Sequence, residues 1–320
     1  MGVWWKRIDV SEWQDCGVEP SGSNGGRWLE EPGTERRWLH KNTHIPANGC
    51  EQGEDWAEIV ATRVAQALGV PCASTALCTH EGRRGSLSLS IKPADHHLWG
   101  GQVVLEEARA PGYFPFAPGQ DVRDLNRPHI RRPGHSLTNI RTALQVVDAP
   151  AEFKGGPREG RAFDVFVGYT LLDALIANRD RHDENWAVLE PQLGSLPQVL
   201  APTYDHGSSL GYNLPGTTRD RCLSDVVALE RWATKGTAHR YEHVPPPKTL
   251  VGHAVEALHM GSPDTAKWWV EQVMSLDLSE ILEPLERGCI PEMSAASVKF
   301  ATALLKLNLR RLQDAIRDHG

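Results

Sequence analysis

Three polar residues in the second half of the chain have the types and spacing that transfer of a phosphoryl group requires. Asp180 and Asn185 stand five positions apart in a polar stretch, and Asp205 opens an Asp-x-Gly turn twenty residues later. Phosphoryl transfer needs a carboxylate to orient or deprotonate the acceptor hydroxyl, and oxygen ligands to hold Mg²⁺ on the phosphates. Protein kinases place these groups in an HRDxxxxN loop and a later Asp-x-Gly turn. The pattern therefore predicts a phosphotransfer site, against the alternative of a solvated acidic loop and a turn-capping aspartate.

Residues nearer the N-terminus could hold the phosphates of a nucleotide. Lys41 ends a strand-like segment, Glu58 lies on the helix that follows, and the glycine-rich segment 22–26 precedes both. A kinase uses such a lysine on the α and β phosphates, a helical glutamate to orient it and a glycine loop to cover the phosphates. Each has a simpler alternative: Lys41 as a surface lysine, the glycines as a hairpin turn, and Asp55 with Glu58 as a helix capping box. The order of the whole set favours nucleotide binding.

The elements that must position these residues are short strands in the first third of the chain and helices in the rest. The segment 55–68 has apolar residues at helical spacing and ends at Gly69, so it predicts an amphipathic helix. The segment 162–177 is apolar nearly all round, which is typical of a helix buried in a core, and it directly precedes the polar stretch. Further predicted strands are 26–30, 36–41, 76–79, 86–91 and 186–189, and further predicted helices are 137–147, 223–234, 249–259, 264–275, 277–287 and 294–317.

Composition argues against several other classes of protein. The chain has 320 residues, a formal net charge of -7 and a pI of about 6.1, which gives no support to a nucleic-acid or anionic-membrane surface. The six cysteines form no CxxC pair. The N-terminus is too short and polar for a signal peptide, and no run of about 18 apolar residues occurs. We therefore expect a cytoplasmic protein with reduced thiols, no direct nucleic-acid partner and no membrane.

Two stretches of the sequence carry a resemblance to a known family. The run LLDALIANRDRHDENWAVL, followed by LAPTYDHGSSLGY, resembles the catalytic signature of the HipA-like serine/threonine kinases, which are related to the phosphatidylinositol 3/4-kinases and the protein kinases. The runs SGSNGGRWLEE and DWAEIVATRVAQALGVPCA are similar to the ATP-binding lobe of that family, and RWATKGTAHRYEHVP is similar to a later segment. The resemblance extends over residues 20 to 310, with the catalytic stretch as its most specific part.

The resemblance implies a role for each matching residue in the catalytic stretch. Asp180 would be the catalytic base, and His182 a structural part of the catalytic loop. Asn185 and Asp205 would bind Mg²⁺.

The resemblance also implies roles for residues of the first lobe. Lys41 would contact the ATP phosphates, with Glu58 as its ion-pair partner. Ser88 to Ile91, including Ser90 and Ile91, would form the hinge whose backbone faces adenine. Gly22, Ser23 and Asn24 would lie over the phosphates.

Motif order and resemblance together predict an α+β, two-lobed, protein-kinase-like fold. Residues 1–92 would form a β-rich ATP-binding lobe with one helix, and residues 93–320 a mainly helical lobe with the catalytic and metal-binding loops. The expected reaction is Mg²⁺-dependent transfer of the γ-phosphoryl group of ATP to a Ser or Thr hydroxyl on a protein substrate. The alternatives are a kinase of a small hydroxylated molecule and a nucleotide-binding pseudokinase that acts through a partner. Residues that contact the acceptor are expected in 110–160 and 206–245.

Overall fold

The N-terminal part of the chain folds into one antiparallel-rich sheet. The computed structural model describes residues 5–19, 25–47, 52–115, 122–124, 126–194 and 196–319. Its first six strands are β1 (Ile8–Asp9), β2 (Gln14–Val18), β3 (Arg27–Glu30), β4 (Arg37–Asn42), β5 (Thr75–His80) and β6 (Arg83–Leu89). They lie side by side in the order β1-β5-β6-β4-β3-β2. The β1–β5 pair is parallel and the others are antiparallel.

Side-chain alternation along the strands gives this sheet two buried faces. On β5, Leu77 packs into the large core that includes the first helix, whereas Cys78 packs with Leu29 and Leu87 in a smaller cluster. Lys41 lies opposite Ser86 in the register between β4 and β6. The central strand β4 therefore carries the predicted phosphate-binding lysine to the interior of the sheet rather than to its edge.

The helix that crosses the sheet is α1 (Glu54–Leu68), and it packs on β5, β6 and the C-terminal helices. It ends at Gly69, whose φ of 82° is the left-handed conformation that suits a helix C-terminus. The predicted N-cap, Asp55, is wrong. The N-cap is Gly53, and the buried Asp55 carboxylate instead pairs with Arg7 at 2.8 Å. A capping box of Asp55 and Glu58 is therefore absent from this helix.

The rest of the chain is mainly helical. Its helices are α2 (Gly101–Glu107), α3 (Leu137–Ala143), α4 (Ala162–Ile176), α5 (Gly216–Ser224), α6 (Val226–Thr234), α7 (Leu250–Met260), α8 (Pro263–Ser275), α9 (Ser279–Glu286) and α10 (Ala295–His319). A second sheet has the order β7-β8-β9 and consists of β7 (His96–Gly100), β8 (Ala187–Pro191) and β9 (Val199–Leu200). The predicted helix 223–234 is two helices, because Asp225 is extended and its carboxylate accepts from Val227 N to begin α6.

Helix α4 is the centre of the helical lobe. Every one of its residues is buried, as the apolar sequence predicted. Its Gly168 permits close packing, since a Cβ at this position would lie 2.3 Å from the ring of Trp269 on α8. The helix runs from this packed core to the polar stretch that begins at Asn178, so it holds one end of the candidate site rigidly.

The two sheets are joined by residues 90–95, between β6 and β7. The lobe boundary at residue 92 falls in this link and stays a prediction. In the described part of the chain no helix is both long and apolar enough to cross a membrane. The cysteines in that part are free thiols.

Candidate active site

The loop between α4 and β8 brings Asp180, His182 and Asn185 together. It begins at Ala177, whose φ of 54° ends the helix in the left-handed conformation. The Asp180 carbonyl accepts from the His182 backbone N–H and from Asn185 Nδ2, each at 2.8 Å. The amide nitrogen of Asn185 is thereby used inside the loop. Its amide oxygen is left as the atom that could bind a metal ion.

A buried ion pair anchors this loop to α4. The Arg181 guanidinium donates to both oxygens of Asp173 on α4, from Nε at 2.9 Å and Nη2 at 2.7 Å. Its Nη1 donates to the Asn185 carbonyl and to Thr203 Oγ1, each at 2.8 Å. Arg181 and Asp173 are 2% and 4% exposed. The loop is therefore fixed at its middle by a side chain that the sequence analysis did not single out.

His182 serves the loop rather than facing a reacting group. Its Nδ1 accepts from the Glu184 backbone N–H at 3.2 Å, and its own backbone N–H is bonded to Asp180. It nevertheless lies close enough to Asp205 to contribute to the lowering of the pKa of that carboxyl. The structural role that the resemblance implies for His182 stays a prediction.

Lys41 of the N-terminal sheet meets Asp205 of the helical lobe. Lys41 Nζ lies 3.3 Å from Asp205 Oδ2 and 3.7 Å from Glu19 Oε2. The Asp205 carboxylate is the largest cause of a raised Lys41 pKa, and Lys41 in turn lowers the pKa of Asp205. Burial raises the pKa of Glu19, which lies between β2 and the glycine-rich segment 22–26. Lys41 and Asp205 are therefore both charged at neutral pH and mark one polar centre between the lobes.

Glu58 takes a different partner from the one that the resemblance implies. Among the described residues it makes no ion pair with Lys41, although its charge still raises the pKa of that lysine. Glu58 Oε2 accepts from the His206 backbone N–H at 2.6 Å, and Oε1 lies 3.4 Å from His206 Nδ1. The position of the Asp205 turn explains this partner. The turn places His206 against α1, where it contacts Glu58, and places the Asp205 carboxylate beside Lys41. Helix α1 is thereby tied to the turn that would hold the metal ion.

The Asp205 turn is braced by hydrogen bonds. Asp205 has a φ of 59°, in the left-handed region that aspartate enters more readily than most non-glycine residues. Next to it, His206 Nε2 lies 3.0 Å from Thr203 Oγ1, which in turn accepts from Arg181. A continuous set of hydrogen bonds therefore joins Glu58 on α1 through this turn to the loop that carries Asp180.

The hinge residues and the glycine loop complete the set of predicted positions. Ser90 and Ile91 lie in the link after β6, where the Ser90 N–H donates to the Arg37 carbonyl. Ile91 and Tyr204, the neighbour of Asp205, both pack against one small apolar cluster that consists of Ala187, Leu189 and Ala201. The hinge role of Ser90 and Ile91 stays a prediction. Gly22, Ser23 and Asn24 lie outside the described residues, so their role stays a prediction.

The donor atoms at this site suit Mg²⁺. The Asp205 carboxylate and the Asn185 amide oxygen are hard oxygen ligands, which this ion prefers. Lys41 supplies the positive charge that phosphate oxygens would need. Glu19 adds a buried carboxylate oxygen, Oε2, that accepts no hydrogen bond from any described residue. The charged neighbour of this oxygen is Lys41 Nζ at 3.7 Å, which is too long for a hydrogen bond, so the oxygen fits a site that gains a cation on binding.

The Asp180 carboxylate has an arginine partner that sequence reasoning missed. Arg240 Nε donates to Asp180 Oδ1 at 2.8 Å. Arg240 lies between α6 and α7, inside the range 206–245 that was expected to supply acceptor contacts. Arg240 lies in the segment RWATKGTAHRYEHVP, but the sequence could not show its partner, because the pairing joins residues 60 positions apart. For Arg181, a signal was present: an acidic residue such as Asp173 in an otherwise apolar helix requires a buried partner.

Comparison with solved structures identifies the fold. The Helicobacter pylori proinflammatory kinase CtkA matches with a TM-score of 0.70 and 16% identity, over 98% of each chain. HipA of Shewanella oneidensis MR-1, from a structure with HipB and operator DNA, matches with a TM-score of 0.51 and 15% identity, over 96% of this chain and 68% of HipA. No protein-family model matches the sequence, and no curated protein matches it. The chain therefore has the two-lobed fold of the HipA-like kinases, and the resemblance predicted from the sequence is confirmed at the level of the fold.

Proposed function

We propose that this protein is a Mg²⁺-dependent kinase that transfers the γ-phosphoryl group of ATP to a Ser or Thr hydroxyl on a protein. The observation that carries this proposal is the meeting of Lys41 from one lobe with Asp205 from the other, at 3.3 Å. Beside them stands a loop in which Asp180 and Asn185 are held by a shared hydrogen bond. Kinases need these side chains in this order, and the structural neighbour CtkA is a kinase.

Each residue has a defined task in the proposed reaction. Lys41 binds phosphate oxygens, and Asn185 with Asp205 supplies oxygen ligands to Mg²⁺. Bound Mg²⁺ neutralises charge on the phosphates during transfer. Asp180 accepts the proton of the attacking hydroxyl while the bond from that oxygen to the γ-phosphorus forms and the bond to the ADP oxygen breaks. At the hinge, the Ser90 carbonyl and the backbone of Ile91 would face adenine, because the Ser90 N–H already donates to the Arg37 carbonyl.

The Lys41–Asp205 ion pair also predicts how binding begins. Without ligand, the two opposite charges stabilise each other. On binding, the negative phosphates would take the place of Asp205 beside Lys41, and Mg²⁺ would take the place of Lys41 beside Asp205. The lysine would turn to the phosphates and the aspartate to the metal ion.

The proposed location of the enzyme is the cytoplasm. That compartment supplies ATP and keeps cysteine thiols reduced.

A thermal-shift experiment with a transfer assay tests the proposal. A ligand at 100 times its Kd stabilises the native state by about 2.7 kcal/mol, so Mg·ATP should raise Tm measurably. Asp205→Asn should lose the Mg²⁺-dependent part of this stabilisation, whereas Asp180→Asn should keep it.

The transfer assay separates binding from chemistry. With γ-labelled ATP and a generic protein acceptor, the native protein should transfer label and Asp180→Asn should not. Lys306→Met provides a control, because Lys306 lies on the exposed face of α10 and, among the described residues, forms an ion pair with Glu286 of α9 alone. Equal melting temperatures with and without Mg·ATP, together with no transfer, would rule the proposal out.

A further inference from the structure

One oxygen of the candidate base is occupied and the other is open. Arg240 Nε donates to Asp180 Oδ1 at 2.8 Å, and Nη2 lies 2.5 Å from the same oxygen. No described residue donates to Asp180 Oδ2. The two side chains are partly exposed, at 22% for Arg240 and 31% for Asp180. The guanidinium therefore sets the orientation of the carboxylate while leaving one of its oxygens accessible.

The backbone of Arg240 is hydrogen-bonded to a buried histidine. The Arg240 carbonyl lies 2.9 Å from His135 Nδ1, and Trp186 Nε1 lies 3.3 Å from His135 Nε2. An indole N–H can only donate, so Nε2 accepts and Nδ1 carries the proton that bonds to Arg240. Burial lowers the pKa of His135, which keeps this ring neutral. Trp186 directly follows Asn185, so the catalytic loop and Arg240 share one support.

The chain around Arg240 is paired with a second segment. Arg131 and His243 exchange backbone hydrogen bonds at 2.9 and 3.0 Å, and the Glu242 N–H donates to the His135 carbonyl at 2.7 Å. The His135 ring stacks on Tyr241 with a centroid distance of 4.7 Å. Arg240 is therefore not a free surface side chain. Its backbone is fixed on both sides before its guanidinium reaches Asp180.

We propose that Arg240 is a positioning residue for phosphoryl transfer. It holds Asp180 through Oδ1 so that Oδ2 faces the acceptor hydroxyl. In the transfer step the hydroxyl proton moves to Asp180 Oδ2, the hydroxyl oxygen bonds to the γ-phosphorus, and the bond to the bridging oxygen breaks to release ADP. This inference rests on the proposed function, because it assigns Asp180 the role of base.

Charge alone does not explain the contact. Arg179 is adjacent to Asp180 in sequence, is exposed and makes no ion pair with any described residue. A purely electrostatic effect on Asp180 would be expected from either arginine. A positioning effect would come from Arg240 and not from Arg179, because Arg240 contacts the carboxylate through two guanidinium nitrogens, Nε and Nη2.

The experiment compares kinetic constants of single variants. Misplacement of a catalytic group by about 1 Å can cost about 100-fold, so kcat of Arg240→Ala should fall by about that factor. KM for ATP should change by less than about threefold, because ATP binding does not use Asp180. Arg240→Lys should stay at least about tenfold below the native protein, since an ammonium group cannot reproduce the fork. Millimolar guanidinium should restore activity to Arg240→Ala, and the same concentration of urea should not.

Controls separate this inference from the function on which it rests. Arg179→Ala should lose at least about tenfold less activity than Arg240→Ala, and Arg231→Ala on the exposed face of α6 should match the native protein. Thermal melts establish that each variant is folded. If Arg240→Ala does not fold, Arg240→Gln takes its place in the kinetic comparison. Native kcat in Arg240→Ala, or an equal loss in Arg179→Ala, would overturn the positioning role while leaving the kinase intact. A native protein without transfer would overturn the proposed function, and this inference with it.

Discussion

Replacing Arg181 by methionine should destabilise the protein strongly. The change removes the guanidinium that neutralises Asp173, and these side chains are only 2% and 4% exposed. Removing one partner of a buried ion pair typically costs about 3–5 kcal/mol, because the other charge is left uncompensated. From the described residues, the Asp173 carboxylate would keep a single hydrogen bond, from Asn178 Nδ2 at 2.8 Å. At about 2 °C per kcal/mol for a large domain, Tm should fall by about 6–10 °C.

Urea unfolding and thermal melts followed by circular dichroism measure this loss. Arg287→Met is the matched control, because Arg287 pairs with Glu283 at 3.1 Å on an exposed helix face. Such exposed pairs contribute less than about 1 kcal/mol. The double change Arg181→Met with Asp173→Leu should recover at least about 2 kcal/mol, since hydrophobic residues can replace a buried pair at little cost. A loss below about 1 kcal/mol in the single variant would refute the assignment of Arg181 as the anchor of the catalytic loop.

Three further outcomes follow from the same contacts. Lys41→Met should abolish the Tm increase produced by Mg·ATP, and an unchanged increase would show that the phosphates bind elsewhere. Glu58→Gln should weaken Mg²⁺ binding several-fold in a calorimetric titration, because the His206 turn loses its charged support; native affinity would contradict this link. Burial lowers the pKa of His253 to about 3, so the native state leaves it neutral while the unfolded chain protonates it below about pH 6.5. Stability should therefore fall as pH decreases from 6.5 towards 3, by about 1.4 kcal/mol per pH unit from this residue. Urea titrations at pH 7 and 5 should show a smaller fall in His253→Phe, and equal falls would exclude this source.

The placement of Asp180 and Asn185 on one loop could be predicted because its information is local. Asp180 and Asn185 lie in one short stretch after an apolar helix, and the structure places both on one loop. The spacing itself follows from the hydrogen bond between the Asn185 amide and the Asp180 carbonyl. Local sequence carries such geometry directly.

The partners of Glu58 could not be predicted because they depend on tertiary packing. The sequence shows that Glu58 lies on the helix that follows Lys41, but it does not show which residue its carboxylate contacts. In the structure Glu58 binds His206, 148 positions away. The competition between Lys41 and His206 for this carboxylate is decided by where the Asp205 turn sits.

The partners of buried or partly buried charged residues were the contacts that the sequence predicted least well. Asp55 looked like a helix cap, yet it lies inside the fold and pairs with Arg7 from a strand region near the N-terminus. Arg240 lay in a stretch with no periodicity, and its contact with Asp180 depends on support from His135 in another such stretch. A buried charge shows that a partner exists, but only the fold identifies the partner.

Intact-mass spectrometry of the purified protein incubated with Mg·ATP, alongside Asp180→Ala and Asp205→Ala, tests the central claim most directly. A kinase of this class should transfer phosphate to its own chain or to an added protein, with a gain of one or more phosphoryl masses. The account predicts that gain for the native protein, on itself or on the added acceptor, and none with either variant. Equal gains in the native protein and both variants would contradict it, as would no gain together with an unchanged melting temperature.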